Sequence, residues 1–427
     1  MNQSDIAGKL EHVLRHARQN SPFYRQSYAH LAEDETRLER FPILDHTAFW
    51  NANGLENNTV LTGPLLEGVV FKSGGTTGNP KFSPYTREEW RLKTHYMGMG
   101  FAKAGVHPGD RVANLFRGGD LYASLLSMGT AMLACSCPVV TYPIGDFIGI
   151  EAIVAAIEVH RLTVLAGIPS SLLKVAEYLA RTGKAGTLAV RSVLFAGESL
   201  YPDQQLLLAD VFQGAAIRTL GYASVDGGAI GYADDACGPN EFKPFEEHMV
   251  VEIVSDEDHR PVSEVGVPGR ILLTNLDRWL MPIVRYPAGD RAEWVTLGTE
   301  RRFRLLGRSD EGARVGLVTL YIEDLRKVLA PFWQELRLID FQLLLRHMER
   351  KDQLTLRLSS LTSESTRKPF EERIRAQLFV ARPELKHAVD AGAVHPVAFE
   401  WVGSDGLEVV ERTGKLRRVV DERRLGA

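Results

Sequence analysis

The chain has 427 residues, 44% of them hydrophobic and 24% charged, with a formal net charge of −4. That length exceeds one compact core, and the weakly negative charge offers no field for nucleic acid or an anionic membrane. No apolar run of about 18 residues occurs, so no transmembrane helix is expected, and three cysteines (Cys135, Cys137, Cys237) fit a reduced cytoplasmic protein with mostly buried thiols.

The first segment, MNQSDIAGKLEHVLRHARQN, spaces its apolar residues for a surface helix and lacks the apolar core of a signal peptide. Further on, short β-rich runs alternate with segments of helical period. Strands are predicted at Arg111–Phe116, Pro138–Tyr142, Thr163–Ile168, Ser192–Ala196 and Ala215–Gly221. Helices are predicted between them at Leu121–Ala134, Ile148–His160, Ser170–Arg181 and Asp203–Phe212. This alternation predicts βαβ units around a mainly parallel sheet. After residue 240, HMVVEIVSDEDHRPVSEVGVPGRILLTNL reads as strands joined by turns, an antiparallel subdomain or barrel. GRSDEGARVG, residues 307 to 316, reads as a linker. A helix from about Ile322, strands such as Gln353–Leu358, a helix near Thr366–Phe379 and a basic tail then make a small domain. The expected fold is α/β: a large N-terminal domain, 1–308, of βαβ sheets plus a β subdomain, and a small mobile α+β domain, 309–427.

Residues 71 to 81, FKSGGTTGNPK, follow an apolar run. So flexible a loop is costly to order and suits close approach of backbone N–H groups to a phosphate. It is not a Walker A loop, because Pro80 precedes Lys81 and Phe82 follows it. Ser73, Thr76 and Thr77 offer hydroxyls and Lys81 a point charge; a plain glycine-rich turn is the competing reading. AGESL (196–200) follows a strand, where a base can lie against backbone, although an ordinary strand-to-helix loop has the same form. RYPAGD (285–290) carries Asp290, a carboxylate able to accept two hydroxyl donors, or a turn after Pro287. ERTGKLRRVVDERR (411–424) carries Lys415 on a glycine-loosened loop, or else forms a basic solvated helix or nucleic-acid patch.

Together with GYASVDGG (221–228), SPFYR (21–25), FPILDHTAFW (41–50) and GVHPGDRVANLF (105–116), these motifs resemble, in order, those of adenylate-forming enzymes. That superfamily comprises acyl-CoA synthetases, peptide-synthetase adenylation domains and luciferases. The resemblance is strongest to the phenylacetate-CoA ligase branch and runs from about residue 20 to the C-terminus. It implies ATP-dependent activation of an aromatic carboxylic acid to an acyl-adenylate, with release of pyrophosphate and transfer to coenzyme A. Ser73, Gly74, Gly75, Thr76, Thr77, Gly78 and Lys81 would wrap the phosphates. Gly197, Glu198 and Ser199 would meet adenine, with Gly221, Tyr222, Ala223 and Ser224 completing the nucleotide site. The branch's hydroxyl is Val225 here, and its magnesium-binding Glu is Asp226. Asp290 would hold the ribose, Arg308 ribose and phosphate, and Asp310, followed by Glu311, would be the hinge. Lys415 would be the catalytic lysine that neutralises carboxylate and α-phosphate as they meet.

An aromatic acid pocket is expected from Phe116, Arg117, Tyr142, Phe147, Ala223, Gly227 and Gly228. Arg117 would pair with a second anionic group of the acid, or stand as a surface arginine. The resemblance implies ATP and Mg²⁺, with coenzyme A as co-substrate; a carrier protein, an amine or a partner reductase are the other acceptors. Arylacetic and benzoic acids are the branch's substrates, and a subset resembles enzymes of phenazine antibiotic biosynthesis. A homodimer is expected. A degenerate binding member is the reading that Val225 and Asp226 would mark, and three scattered cysteines do not suggest structural zinc.

Overall fold

The β-rich runs between residues 111 and 219 form a five-stranded parallel sheet. Its order is Val140–Pro143, Arg111–Asn114, Val164–Gly167, Ser192–Phe195, Ala216–Thr219. Its inner strands bury Val112, Ala113, Leu165, Ala166, Val193 and Leu194 completely, as strands covered on both faces must. Helices Ser124–Leu133, Ile150–Val159, Pro169–Arg181 and Pro202–Val211 make the crossovers. Every boundary lies within three residues of the sequence expectation. Because the strands are parallel, the segments around Phe116, Ile168, Gly197 and Gly221 all emerge at one edge, where ligands of such sheets bind.

The structure is a computed structural model, and it describes residues 3–54, 56–73, 81–308, 312–316, 318–349 and 351–423. Strands Val69–Ser73 and Lys81–Tyr85 form an antiparallel hairpin leading to and from the glycine-rich segment. The helix Arg87–Lys103, which follows directly, has no counterpart in the sequence expectation. Its start is a capping box: Thr86 accepts from the Glu89 amide and Glu89 accepts from the Thr86 amide.

The region beyond residue 220 is a seven-stranded antiparallel sheet. In order it runs Met249–Val254, Gly269–Asn275, Tyr286–Thr296, Arg302–Arg308, Glu241–Pro244, Gly228–Tyr232, Tyr222–Ser224. The N-terminal helix Gln3–Asn20 packs Val13, Leu14 and Ala17 on this sheet's core. A separate core draws all its members from residues 313 to 419. It lies between a four-stranded sheet (Ala398–Val402, Lys351–Ser360, Leu338–Met348, Val419–Asp421) and helices Ile322–Leu329, Glu364–Ala381 and Pro383–Asp390.

Two expectations and one competing reading are corrected. The described residues of the stretch 307–316 are mostly strand rather than linker: Arg302–Arg308 extends into it and Gly312–Val315 pairs with Val318–Tyr321. The basic tail is no helix, because Val409 and Leu416 bridge and Val419–Asp421 joins the small sheet in parallel. The three cysteines are free but only partly buried.

The two bodies meet through specific polar contacts. Gln204 Nε2 donates to Asp340 Oδ2 at 3.0 Å, and Tyr201 Oη to Glu323 Oε1 at 3.0 Å. The Arg326 guanidinium lies over the Tyr201 ring.

Candidate active site

Lys415 sits on a tight hairpin whose turn is closed by the Gly414 amide donating to Val410 O at 2.8 Å and by Val410 N donating to Lys415 O at 2.8 Å. Gly414 has φ +69°, and a Cβ there would lie 2.7 Å from Asp146 Oδ2 and 3.2 Å from Arg117 Nε. Glycine is required on both counts. The hairpin thus lies directly on a pair from the parallel-sheet body. A Cβ at Gly197 would lie 3.6 Å from Lys415 Cε and 3.7 Å from its Nζ. The lysine therefore reaches the strand end that carries Gly197.

Further contacts hold this hairpin and its seat. Arg117 Nε donates to Asp146 Oδ1 at 2.8 Å, and its Nη1 donates to Glu411 O at 2.6 Å. Ser171 Oγ donates to Asp146 Oδ2 at 2.8 Å. Glu198 accepts from Leu416 N and Ser170 N, each at 3.0 Å. On the far side Arg412 Nη1 donates to Lys72 O at 2.8 Å, at the base of the glycine-rich hairpin. Beside Arg117 lies a cavity of about 40 Å³ lined by Leu115, Lys174, Val409 and Gly414. That admits water. Arg117 bridges Asp146 of the large body and the Glu411 carbonyl of the hairpin. The sequence carried no sign of this, because Asp146 and Glu411 lie far from it along the chain.

Tyr222 Oη donates to Asp290 Oδ2 at 2.5 Å, and its ring packs on Phe242 and Phe303. Asp290 stands opposite Arg308 in the antiparallel register. Asp226, 9% exposed, accepts from Tyr286 Oη at 3.2 Å, and burial raises the Tyr286 phenol's pKa. Trp50 Nε1 reaches both Tyr286 Oη at 3.3 Å and His46 Nε2 at 3.2 Å, and Lys81 Nζ meets the same His46 nitrogen at 3.2 Å. His46 and Trp50 went unassigned in the sequence, although they fall inside the FPILDHTAFW motif, whose Asp45 caps their helix. Ser224 Oγ accepts from the Gly227 amide at 2.8 Å, so its hydroxyl shapes the turn. Val225 O accepts from Tyr85 Oη at 2.5 Å. Behind Gly227 and Gly228 stand Asn275, which donates to Gly227 O at 2.7 Å, and His248. His248 is paired through Nδ1 with Asp277 at 2.7 Å, and burial holds its pKa below the ordinary value.

Gly74, Gly75, Thr76, Thr77, Gly78 and Asp310 lie outside the described residues, as do the side chains of Ser73 and Arg308. Ala223 is exposed, Ser199 and Gly221 are partly buried, and all belong to the same strand-end edge. Of the expected acid-pocket residues, Phe116 is buried beside Ile168 and Ala196 at that edge. Tyr142 packs on His160 and Arg111 at the far strand of the sheet, and Phe147 is 58% exposed. Neither forms an enclosed aromatic wall.

The parallel-sheet body, the antiparallel sheet and the small α+β body together form the fold of the adenylate-forming enzymes. A crystal structure of 2-hydroxyisobutyryl-CoA ligase in the postadenylation state, with 2-HIB-AMP, matches 98% of this chain and 89% of its own, at TM-score 0.75 and 18% identity. The same ligase in its thioesterification state matches at 0.65. Among sequence relatives, indoleacetate–lysine synthetase of Pseudomonas savastanoi is 25% identical over 369 residues, 83% of this chain and 84% of that one. Phenylacetate-coenzyme A ligase of Escherichia coli K12 is 24% identical over 341 residues, 76% of this chain and 75% of that one. No protein-family model matches the chain. Among the described residues, no helix is long and apolar enough to cross a membrane.

Proposed function

We propose that this protein is an AMP-forming acid ligase that activates an aromatic carboxylic acid with ATP, releases pyrophosphate and passes the acyl group to coenzyme A. The observation that carries this is the position of Lys415, brought from the small body against Gly197 at the strand ends of the large one. Two anions, a carboxylate and an α-phosphate, must meet there, and a preorganised cation lowers the barrier where their charges converge. Glu198 and the Arg117–Asp146 pair aim the lysine. Asp290 takes the ribose hydroxyls and Tyr222, bonded to it, backs the adenine. Arg308 and the 73–81 loop, with Lys81, attend the phosphates, and the two bodies divide at 308/309 with Asp310 as hinge.

Asp226 suits Mg²⁺, since one carboxylate plus substrate phosphates is a common set for that ion; when bound, the ion neutralises phosphate charge. Tyr286 orients the Asp226 carboxylate for that duty. The reading further includes a cytoplasmic homodimer, with a place in aromatic or phenazine secondary metabolism.

ATP–pyrophosphate exchange over a panel of benzoates, arylacetates and phenazine carboxylates tests the first step. Exchange should depend on one acid class and fall in Lys415→Ala and Asp290→Ala. Exchange equal in both variants would overturn the reading. An amine acceptor is the second reading, favoured by the similarity to indoleacetate–lysine synthetase. Product analysis with coenzyme A and lysine offered together separates the two.

A further inference from the structure

Lys93 lies on the helix Arg87–Lys103 and is 3% exposed. Its ammonium stands over three rings: Tyr85 at 4.5 Å, Trp90 at 5.5 Å and Phe71 at 5.8 Å. It has no hydrogen-bond acceptor and no carboxylate within ion-pair distance among the described residues. A buried ammonium has three donors to satisfy, and ring faces compensate only part of its lost hydration. Its nearest buried cationic neighbour is also poorly matched: Arg278, 1% exposed, stacks on the Tyr85 ring at 3.7 Å and leaves Nη1 without a partner. Asp226 is the anion that acts on Lys93, at longer range.

The cage adjoins the candidate acid site. Tyr85 forms one of its walls and bonds to Val225 O. Val225 and Ala123 pack on the same Phe71–Tyr85 cluster. A Cβ at Gly228 would come within 4.0 Å of Tyr85 Oη. Ala123 belongs to the segment after Phe116 and Arg117 that the sequence assigned to the acid. Arg117 is engaged between the two bodies, and Lys93, with Arg278, is a buried cation near the Val225–Gly228 turn.

We propose that Lys93 is the specificity anchor of the acid pocket, and that the acid activated is an aromatic one carrying a second anionic group, a carboxylate or ionised phenol, which enters the cage and pairs with the Lys93 ammonium. This rests on the acid-activation reading above. The second anion supplies the acceptor that the described residues do not. The cage therefore selects by leaving a buried cation unpaired whenever a monoacid binds.

The test uses calorimetric binding without ATP, then ATP–pyrophosphate exchange, comparing benzoate and naphthoate with the matching dicarboxylates and hydroxyacids. Wild-type protein should bind the diacids about 10- to 100-fold more tightly. Lys93→Met should erase that preference by weakening diacids alone, with the change in exchange falling on KM rather than kcat. Lys93→Arg should keep part of it. The unliganded Lys93→Met protein should melt at the same temperature or higher, because a site kept for a ligand costs stability. A lower melting temperature with equal loss for monoacids and diacids would instead mark a structural lysine and overturn the proposal. So would wild-type protein that binds monoacids as tightly as diacids, a comparison needing no variant to fold. Diacid preference that depends on Lys93 without exchange would sustain the subsite and overturn acid activation; exchange without that dependence would do the reverse.

Discussion

Two lysines are held in opposite ways. Lys415 rides a hairpin fixed on both sides: Glu198 and the Arg117–Asp146 pair on one, Arg412 at Lys72 on the other. Among the described residues, the Lys93 ammonium meets ring faces. The hairpin is placed by several polar contacts, and its more exposed groups can exchange theirs for water. A buried cation has no such exchange with water, so its counter-charge decides what may sit beside it. On the proposed reading, one lysine acts on whatever acid is bound and the other chooses the acid.

The largest effect expected on breaking the first arrangement comes from Lys415→Ala. Removing a preorganised cation from the meeting point of two anions should lower pyrophosphate exchange by about 10²- to 10³-fold. Transfer from a supplied acyl-adenylate to the acceptor should change far less. Equal loss in both half-reactions would show that Lys415 holds the fold rather than the transition state.

Gly414→Ala comes next. Its Cβ would overlap Asp146 and sit at positive φ, so the hairpin must lift off the large body. Exchange should fall about tenfold or more, consistent with the sensitivity of such steps to small misplacements. Arg117→Ala should do the same more mildly, because the Asp146 carboxylate it leaves is 5% exposed and keeps Ser171. The Arg117→Ala/Asp146→Ala double variant should recover part of the loss. Half-reaction rates for the four proteins give the coupling directly.

Much of this was legible in the sequence because it is local. The parallel strands are continuous apolar runs, the crossovers have helical period, and the motifs lie at strand ends. The helix Arg87–Lys103 escaped because it buries Glu89, Lys93 and Thr94, which breaks its apolar stripe. Its Thr86–Glu89 capping box was the signal that remained. The stretch 307–316 looked like a linker because glycines mark turns, whereas Gly307 sits inside a strand at φ +105°. Arg117 could not be placed at all from sequence. A guanidinium next to GGD suits an acid pocket or a surface equally, and its partners lie 29 and 294 residues away.

The second arrangement makes its own prediction for pH. Burial, then the Arg278 charge, pushes Lys93 down to about 7, and Asp226 opposes them. From there up to the ordinary lysine value of 10.5 the unfolded chain binds a proton that the folded chain does not. Stability therefore rises with pH across that window and is flat below it. Tyr85, the other titratable group facing the ammonium, is pushed up by burial and stays neutral over most of the range. Unfolding free energies of wild type minus Lys93→Met should rise between pH 7 and pH 9 by on the order of 1–3 kcal/mol. A flat difference would mean the ring cage keeps Lys93 charged by itself.

The smallest effect expected is at the turn joining the two regions. Ser224→Ala removes the acceptor of the Gly227 amide, which is partly buried. One such local bond is worth about 1 kcal/mol, so the melting temperature should fall by only a few degrees. The kinetic consequence is sharper than the thermal one. The turn presents Val225, whose carbonyl anchors Tyr85, and Asp226, whose carboxylate meets Tyr286. Loosening it should therefore blur diacid selection through Tyr85 and raise the magnesium needed for exchange through Asp226. If only the magnesium requirement moved, the Lys93 cage would be mechanically separate from the turn, and selection and catalysis would be tuned independently.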